Sequence, residues 1–185
     1  MGISLPTIEP IGLMNSISTL DYKNLKARFS AGFVSSTWGT ANLSGIYPMV
    51  VKAPFISTKV GWVNGAVVAG NIDIAVCSIS GTTATRLQSL GATATTGTDV
   101  PQLATFAYTF TPGLYYVVVA CSDALNTLDY TTPGAADQGG VMTLGSGLTA
   151  ANMPIAASFT VATTIGTTTN PARYLPAIWF VKGWA

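Results

Sequence analysis

The chain has 185 residues, which is enough for one domain with a core of its own. Only 8% of these residues are charged, against a usual ~25%, and the eight Lys and Arg nearly balance the seven Asp and Glu. Apolar residues make up 49% and histidine is absent. The composition excludes a disordered chain and a protein that binds nucleic acid by electrostatic attraction. Without histidine, the chain also lacks the commonest general base and the commonest metal ligand.

The first 45 residues differ from the rest and are predicted to form an N-terminal arm. Ser18 or Thr19 is suited to cap a short helix there. Residues 1–16 are rich in apolar side chains without a regular period. They are therefore either ordered against another protein surface or form a disordered tail.

Residues 46–185 are predicted to be all-β, because β-branched and aromatic residues alternate with turn residues at short intervals. The predicted strands are 47–52, 59–64, 71–79, 83–90, 104–110, 114–122, 155–162 and 177–182. Eight short strands without helical periodicity predict a two-sheet antiparallel sandwich of the jelly-roll type. Residues 131–153 are predicted to be a long loop, or to contain a further strand at 141–144.

The turns between these strands carry glycine and proline. Residues 69–71 and 80–82 are predicted turns, because Gly70 and Gly81 tolerate positive φ. Thr111-Pro112-Gly113 is predicted to join strands 104–110 and 114–122 as a short hairpin.

Two strands have informative faces. In strand 71–79, Ile72, Ile74 and Val76 are predicted to face the core while Asp73 faces outward. Strand 114–122 is apolar on both faces, so its outer face needs cover from a long loop or from a neighbouring subunit.

No constellation of catalytic residues is visible. The acids are Glu9, Asp21, Asp73, Asp99, Asp123, Asp129 and Asp137. No two of them have a spacing that suggests a paired acid and base. Asp123 and Asp129 lie beyond a strand end and could meet in space as a glycosidase-like pair, but turn capping is the favoured interpretation. Gly145-Ser146-Gly147 lacks the flanks of a nucleophile elbow, and no histidine is present to activate a serine. We predict no enzyme activity, no metal and no cofactor.

The cysteines and tryptophans are assigned structural roles. Cys77 and Cys121 lie on different predicted strands, and we favour two buried free thiols over one disulfide. Trp62 and Trp179 fall inside strands and are predicted to fill a core or an interface. Trp38 and Trp184 fall outside strands and are predicted to anchor contacts between subunits, with stacking on a glycan as the alternative.

The stretch 46–121 combines a Gly70-Asn71 turn, an alternating strand, a short turn with a further strand, and a strand that begins Pro112-Gly113-Leu114-Tyr115-Tyr116. This pattern resembles β-sandwich domains of tailed-bacteriophage virion proteins, with a weaker likeness at 176–181. The resemblance implies a sandwich fold and a place among capsid decoration proteins, head fibres and tail fibres. It implies no catalytic residues.

The chain has one domain, a short arm and no repeat of fibre-shaft length, which favours a capsid decoration (cement) protein over a complete fibre. Because so little charge is available, we expect copies of the chain or a larger assembly to cover its surface. We expect a homotrimer in the virion, assembled in the host cytoplasm, that stabilises the assembled head by binding the major capsid protein or another virion protein.

The predicted interface residues are Ile3, Leu5, Ile8, Ile11, Leu13, Trp38 and Trp184. No nucleic acid is expected as a partner. No membrane is expected either, because the longest apolar run, 114–121, is far shorter than the ~20 residues that span a bilayer. The alternative function is a fibre module that recognises host surface glycan through loops such as 123–130.

Overall fold

The computed structural model describes residues 33–39, 41, 44–131, 142–143, 154–160 and 175–182, and in these ranges the regular elements are β-strands. They are β1 Phe33–Thr37, β2 Ser44–Val51, β3 Phe55–Val63, β4 Asn71–Ser80, β5 Thr83–Ser89, β6 Thr93–Ala94, β7 Pro101–Phe110, β8 Gly113–Cys121, β9 Thr127–Thr131, β10 Met142–Thr143, β11 Ser158–Thr160, β12 Leu175–Pro176 and β13 Ile178–Lys182. None of these residues lies in a helix that would cross a membrane.

The strands form two layers of antiparallel sheet. The first sheet has the order β10-β2-β8-β4-β5-β11, with β6 also paired to β4. The second layer consists of β13-β3-β7 and β1-β9-β12, and a bridge between Asn64 and Leu128 connects its two parts. The prediction of an all-β antiparallel sandwich is therefore confirmed, with three sheets in the described residues where two were predicted.

The main core lies between the two layers and follows from side-chain alternation. Ile72, Ile74 and Val76 of β4 point into it and are fully buried, as the pattern of this strand predicts. They meet the opposite layer through Trp62 and an aromatic group in which Phe106 packs on Phe180 and Phe110 packs on Phe55, Tyr115 and Phe180. Burial of these side chains is the dominant favourable contribution to folding.

The predicted hairpin at residues 111–113 is wrong. The strands on either side of it lie in different layers, because β7 pairs with β3 whereas β8 pairs with β2 and β4. Residues 111–112 therefore form an arch across the core. Phe110 and Tyr115 meet edge to face inside it, and the Tyr115 hydroxyl accepts a hydrogen bond from the Thr111 amide at 3.2 Å. A strand–turn–strand pattern does not distinguish strands that pair from strands that face each other.

The two predicted glycine turns are confirmed. Gly81 has a φ of +57° in the hairpin between β4 and β5, where Ser80 is opposite Thr83. Gly70 has a φ of +64° before β4, and a Cβ there would lie 2.5 Å from the Ser122 hydroxyl.

The sequence missed four strands. All eight predicted strands overlap strands of the structure, but β1, β6, β9 and β12 were not predicted, and β10 lies within the alternative strand 141–144. Residues 33–37, within the predicted arm, form β1 and pair with β9. Residues 1–32, including the predicted short helix, lie outside the described residues.

Asp73 does not face solvent as predicted. It lies on the face of the first sheet opposite the main core, but it is fully buried there. This face carries a second apolar cluster that includes Ile46 and Val118. Ile155, in the segment before β11, packs into the same cluster, so in the described part of the chain a loop segment contributes to the cover of β8, as one of the two alternatives predicted.

Candidate functional site

One end of the sandwich is built from three loops that lie side by side. They are residues 64–71 between β3 and β4, residues 94–101 before β7, and residues 121–127 between β8 and β9. We call this set of residues the loop end. Antiparallel strands bring it together, because β3 and β8 finish where β4, β7 and β9 begin.

A buried asparagine fixes the first two loops to each other. The Asn64 side-chain oxygen accepts a hydrogen bond from the Trp62 indole at 2.8 Å. Its amide nitrogen donates to the Thr96 carbonyl at 2.7 Å and to the Gln102 side-chain oxygen at 3.0 Å. Gln102 in turn donates to the Ala94 carbonyl at 2.8 Å. A satisfied buried network of this kind holds a loop in a single conformation.

A second asparagine fixes the third loop. Asn126 is fully buried; its side-chain oxygen accepts from the Ala69 amide at 3.1 Å, and its amide nitrogen donates to the Cys121 sulfur at 3.4 Å. The neighbouring Thr127 hydroxyl accepts from the Val67 amide at 2.7 Å, and the Thr127 amide donates to the Val67 carbonyl at 2.8 Å. All three loops are therefore held by hydrogen bonds within the chain.

The loop end exposes apolar side chains although its backbone is fixed. Val67 is 46% exposed, Val100 42% and Leu125 68%. They lie on adjacent segments, because the Asp99 amide donates to the Gly65 carbonyl at 3.0 Å and the Gly65 amide donates to the Thr127 carbonyl at 2.9 Å. Ordered apolar side chains that face solvent are typical of surfaces that bind other proteins.

Two acids accompany these apolar side chains. Asp99 is exposed and has a φ of +53°, which aspartate tolerates better than most residues. Asp123 is half-buried and accepts a hydrogen bond from the Leu125 amide at 2.8 Å. The turn-capping role predicted for the acids is thus observed at Asp123.

A second feature is the strap, residues 154–160, whose last three residues form β11 at the edge of the first sheet and whose Ile155 packs on the outer face of that sheet. The Asp73 carboxylate accepts hydrogen bonds from the Ile155 amide at 2.7 Å and the Gly91 amide at 3.0 Å. The Ser89 hydroxyl lies 2.9 Å from both carboxylate oxygens. On the other side of the same strap residue, the Arg86 guanidinium donates to the Ile155 carbonyl. Asp73 is thus an anchor for the strap.

The two cysteines are free and buried, as predicted. Burial raises the pKa of the Cys121 thiol to about 12, although the Asn126 amide opposes the shift. Burial likewise raises the pKa of the Cys77 thiol to about 12, which Arg86 opposes and Asp73 reinforces. Both thiols therefore stay protonated at neutral pH and behave as small apolar side chains.

The described residues bring together no recognisable reaction centre. No group of three or more Cys, Asp or Glu among them is placed to hold a metal ion. Three polar side chains of the loop end, Asn64, Asn126 and Thr127, are buried and hydrogen-bonded within the chain. The arrangement is suited to presenting a fixed surface.

The tryptophans differ in their surroundings. Trp62 is fully buried in the main core, and Trp179 is buried against Gly61 on the outer face of β3. Trp38, a predicted subunit anchor, is half-buried and packs against the main core of its own chain, and its amide donates to the Asn126 carbonyl at 2.8 Å. It is therefore at least partly a core residue.

The remaining predicted interface residues, Ile3, Leu5, Ile8, Ile11, Leu13 and Trp184, lie outside the described residues. Sequence reasoning missed Val67, Val100 and Leu125. They lie in loops without hydrophobic periodicity, so no sequence signal separates them from core residues.

Comparison of the chain with protein-family models, with curated proteins and with solved structures finds no match.

Proposed function

We propose that this protein is a structural subunit of a tailed-phage virion, a capsid decoration protein that binds the assembled head and stabilises it. The proposal combines the resemblance of residues 46–121 to virion sandwich domains with the loop end. The same proposal includes a jelly-roll topology for the protein, a trimeric state, and the major capsid protein as its partner. The observation that carries it is the group of exposed apolar side chains on hydrogen-bonded loops, Val67, Val100 and Leu125.

A fixed loop end favours binding because little conformational entropy is lost on contact. Asn64 and Asn126 hold the loops before any partner arrives. The ordering penalty of association, about 0.5–1.5 kcal/mol for each immobilised side chain, is correspondingly reduced. A subunit that binds the assembled shell and not its separated components stabilises the shell by mass action.

The alternative function, a fibre module that recognises host glycan, gains less support from the same loops. Of the polar side chains in residues 123–130, Asn126 and Thr127 are buried and bonded within the chain. Sugar binding commonly uses an exposed aromatic platform, whereas Trp62 and Trp179 are buried and Trp38 is half-buried. Apolar loop tips favour a protein partner.

The test uses heads of the phage that encodes the chain, assembled without it. Purified protein is mixed with these heads and with unexpanded precursors, and each mixture is centrifuged through sucrose. We expect co-sedimentation with the mature heads and a higher temperature of DNA release. Failure to bind heads, together with binding to host cells or to a glycan array, would establish the alternative function.

The arm has its own test. We expect deletion of residues 1–16 to abolish head binding while the circular dichroism spectrum and urea midpoint of the domain stay unchanged. In the proposal, the apolar residues of this segment, such as Ile3 and Leu5, dock on the capsid, and the deletion removes them. Undiminished head binding by the truncated protein would remove the arm from the interface.

A further inference from the structure

We propose that the loop end of one copy of this chain docks on the opposite end of a second copy, so that copies associate end to end. The opposite end, which we call the basal end, consists of residues 50–56, 110–114 and 182. These residues lie together because β2 and β7 finish where β3 and β8 begin. The inference is independent of the proposed function and concerns contacts between copies in solution.

The two ends carry opposite charge. The loop end contains Asp99 and Asp123 and no Lys or Arg. The basal end contains Lys52 and Lys182, both exposed, and no Asp or Glu. In a chain with only 8% charged residues, the charged side chains that the structure describes at each end thus share one sign. Opposite fields steer unlike ends together and keep like ends apart.

Both ends also present apolar side chains that a contact would cover. The loop end exposes Val67, Val100 and Leu125, as described above. At the basal end, Val50 and Leu114 are half-exposed and directly opposite each other on β2 and β8. Apolar burial supplies the affinity of such an interface, and the charges supply its orientation.

The predicted contact is heterologous, because it joins two different surfaces. A heterologous contact continues from copy to copy until it closes into a ring or extends as an open column. Such a contact produces a trimer only where the rotation between neighbours closes after three copies.

Two variants test the inference in the full-length protein. In the loop-end variant, Asp99→Asn and Asp123→Asn are combined with Ala66→Lys and Thr98→Lys, which reverses the charge of that end. Asparagine retains the positive φ at position 99 and the turn at position 123. Residues 66 and 98 are exposed, so lysine has room there. In the basal-end variant, both lysines of the basal end become glutamate.

Association is measured by sedimentation velocity over a range of concentrations at low salt. We expect the wild-type protein to associate and each variant alone to lose association by about tenfold or more, since charge reversal turns the attraction between the two ends into repulsion. An equimolar mixture of the two variants restores association, because each then meets an end of opposite charge. High salt weakens the wild-type assembly.

Several results would overturn the inference. They are a wild-type protein that stays monomeric at every concentration, variants that associate like wild type, and a mixture that stays dissociated. If reversal of Lys23, Lys26 and Arg28 abolishes association while the basal-end variant still associates, the occupant is the N-terminal segment instead.

Should the loop-end variant fail to fold, sedimentation velocity is repeated with Leu125→Lys, which replaces an exposed apolar side chain of the loop end by a positive charge and should also weaken association. Since no phage heads are used, failure here leaves the head-binding test unaffected.

Discussion

Replacing Asp73 by asparagine tests whether one buried carboxylate holds the strap against the first sheet. The two carboxylate oxygens accept from different backbone amides: one from Gly91 at 3.0 Å and the other from Ile155 at 2.7 Å. Asparagine has the same shape but offers only one acceptor oxygen. In either orientation its NH₂ group faces a backbone N–H: the Ile155 amide would then lose its acceptor, whereas the Gly91 amide would keep the Ser89 hydroxyl at 3.0 Å.

The expected loss of stability is about 2 kcal/mol. Losing a hydrogen bond to a charged acceptor costs about 1.5–3 kcal/mol. Removing the buried charge recovers part of this loss, because a neutral amide is cheaper to desolvate. For a chain of this length, a loss of about 2 kcal/mol lowers the melting temperature by about 4–8 °C.

Urea unfolding and hydrogen exchange of the Ile155 amide together measure the effect. If Asp73 anchors the strap, this amide exchanges about 30-fold faster in D73N, which corresponds to about 2 kcal/mol. Asp99→Asn is the matched control, because Asp99 is exposed and asparagine accepts its φ of +53°; its effect should stay within about 0.5 kcal/mol. Wild-type exchange at Ile155 combined with a wild-type urea midpoint in D73N would refute the anchoring role.

Two further predictions concern packing and the thiols. A Cβ at Gly61 would overlap the Trp179 ring, so Gly61→Ala should destabilise the fold by about 1–3 kcal/mol in urea titrations followed by tryptophan fluorescence. Gly113→Ala is the control, since its Cβ would have a neighbour no closer than 3.9 Å; equal midpoints for the two variants would contradict the packing argument. The thiols of Cys77 and Cys121 have a folded-state pKa of about 12 against 9.0 when exposed, so the folded state retains protons that the unfolded chain releases. Stability should therefore be independent of these thiols below about pH 9 and fall as the pH rises from there towards 12. Replacing both cysteines by alanine should flatten that fall in urea midpoints measured across the range, and an unchanged slope would exclude the thiols as its cause.

The sequence by itself determined the fold class and the main apolar faces. The alternation of Ile72, Ile74 and Val76 is a local property of one strand, and it correctly identified the side of β4 that faces the core. Glycine turns at Gly70 and Gly81 were equally local, because positive φ depends on the residue itself. The absence of histidine and the wide spacing of the acids can likewise be seen directly in the sequence.

Only the tertiary structure decided which strands pair and which polar groups are buried. Residues 111–113 carry a good turn signal, yet whether β7 and β8 share a sheet depends on distant partners in β2, β3 and β4. Asp73 was predicted to face solvent because the backbone amides that donate hydrogen bonds to it, those of Gly91 and Ile155, are 18 and 82 residues away along the chain. The loop end could not be predicted for the same reason, because the segments that carry Val67, Val100 and Leu125 become adjacent only when separate strand ends meet. Periodicity reports which side of an element is apolar, whereas contacts between elements depend on the packing of the whole chain.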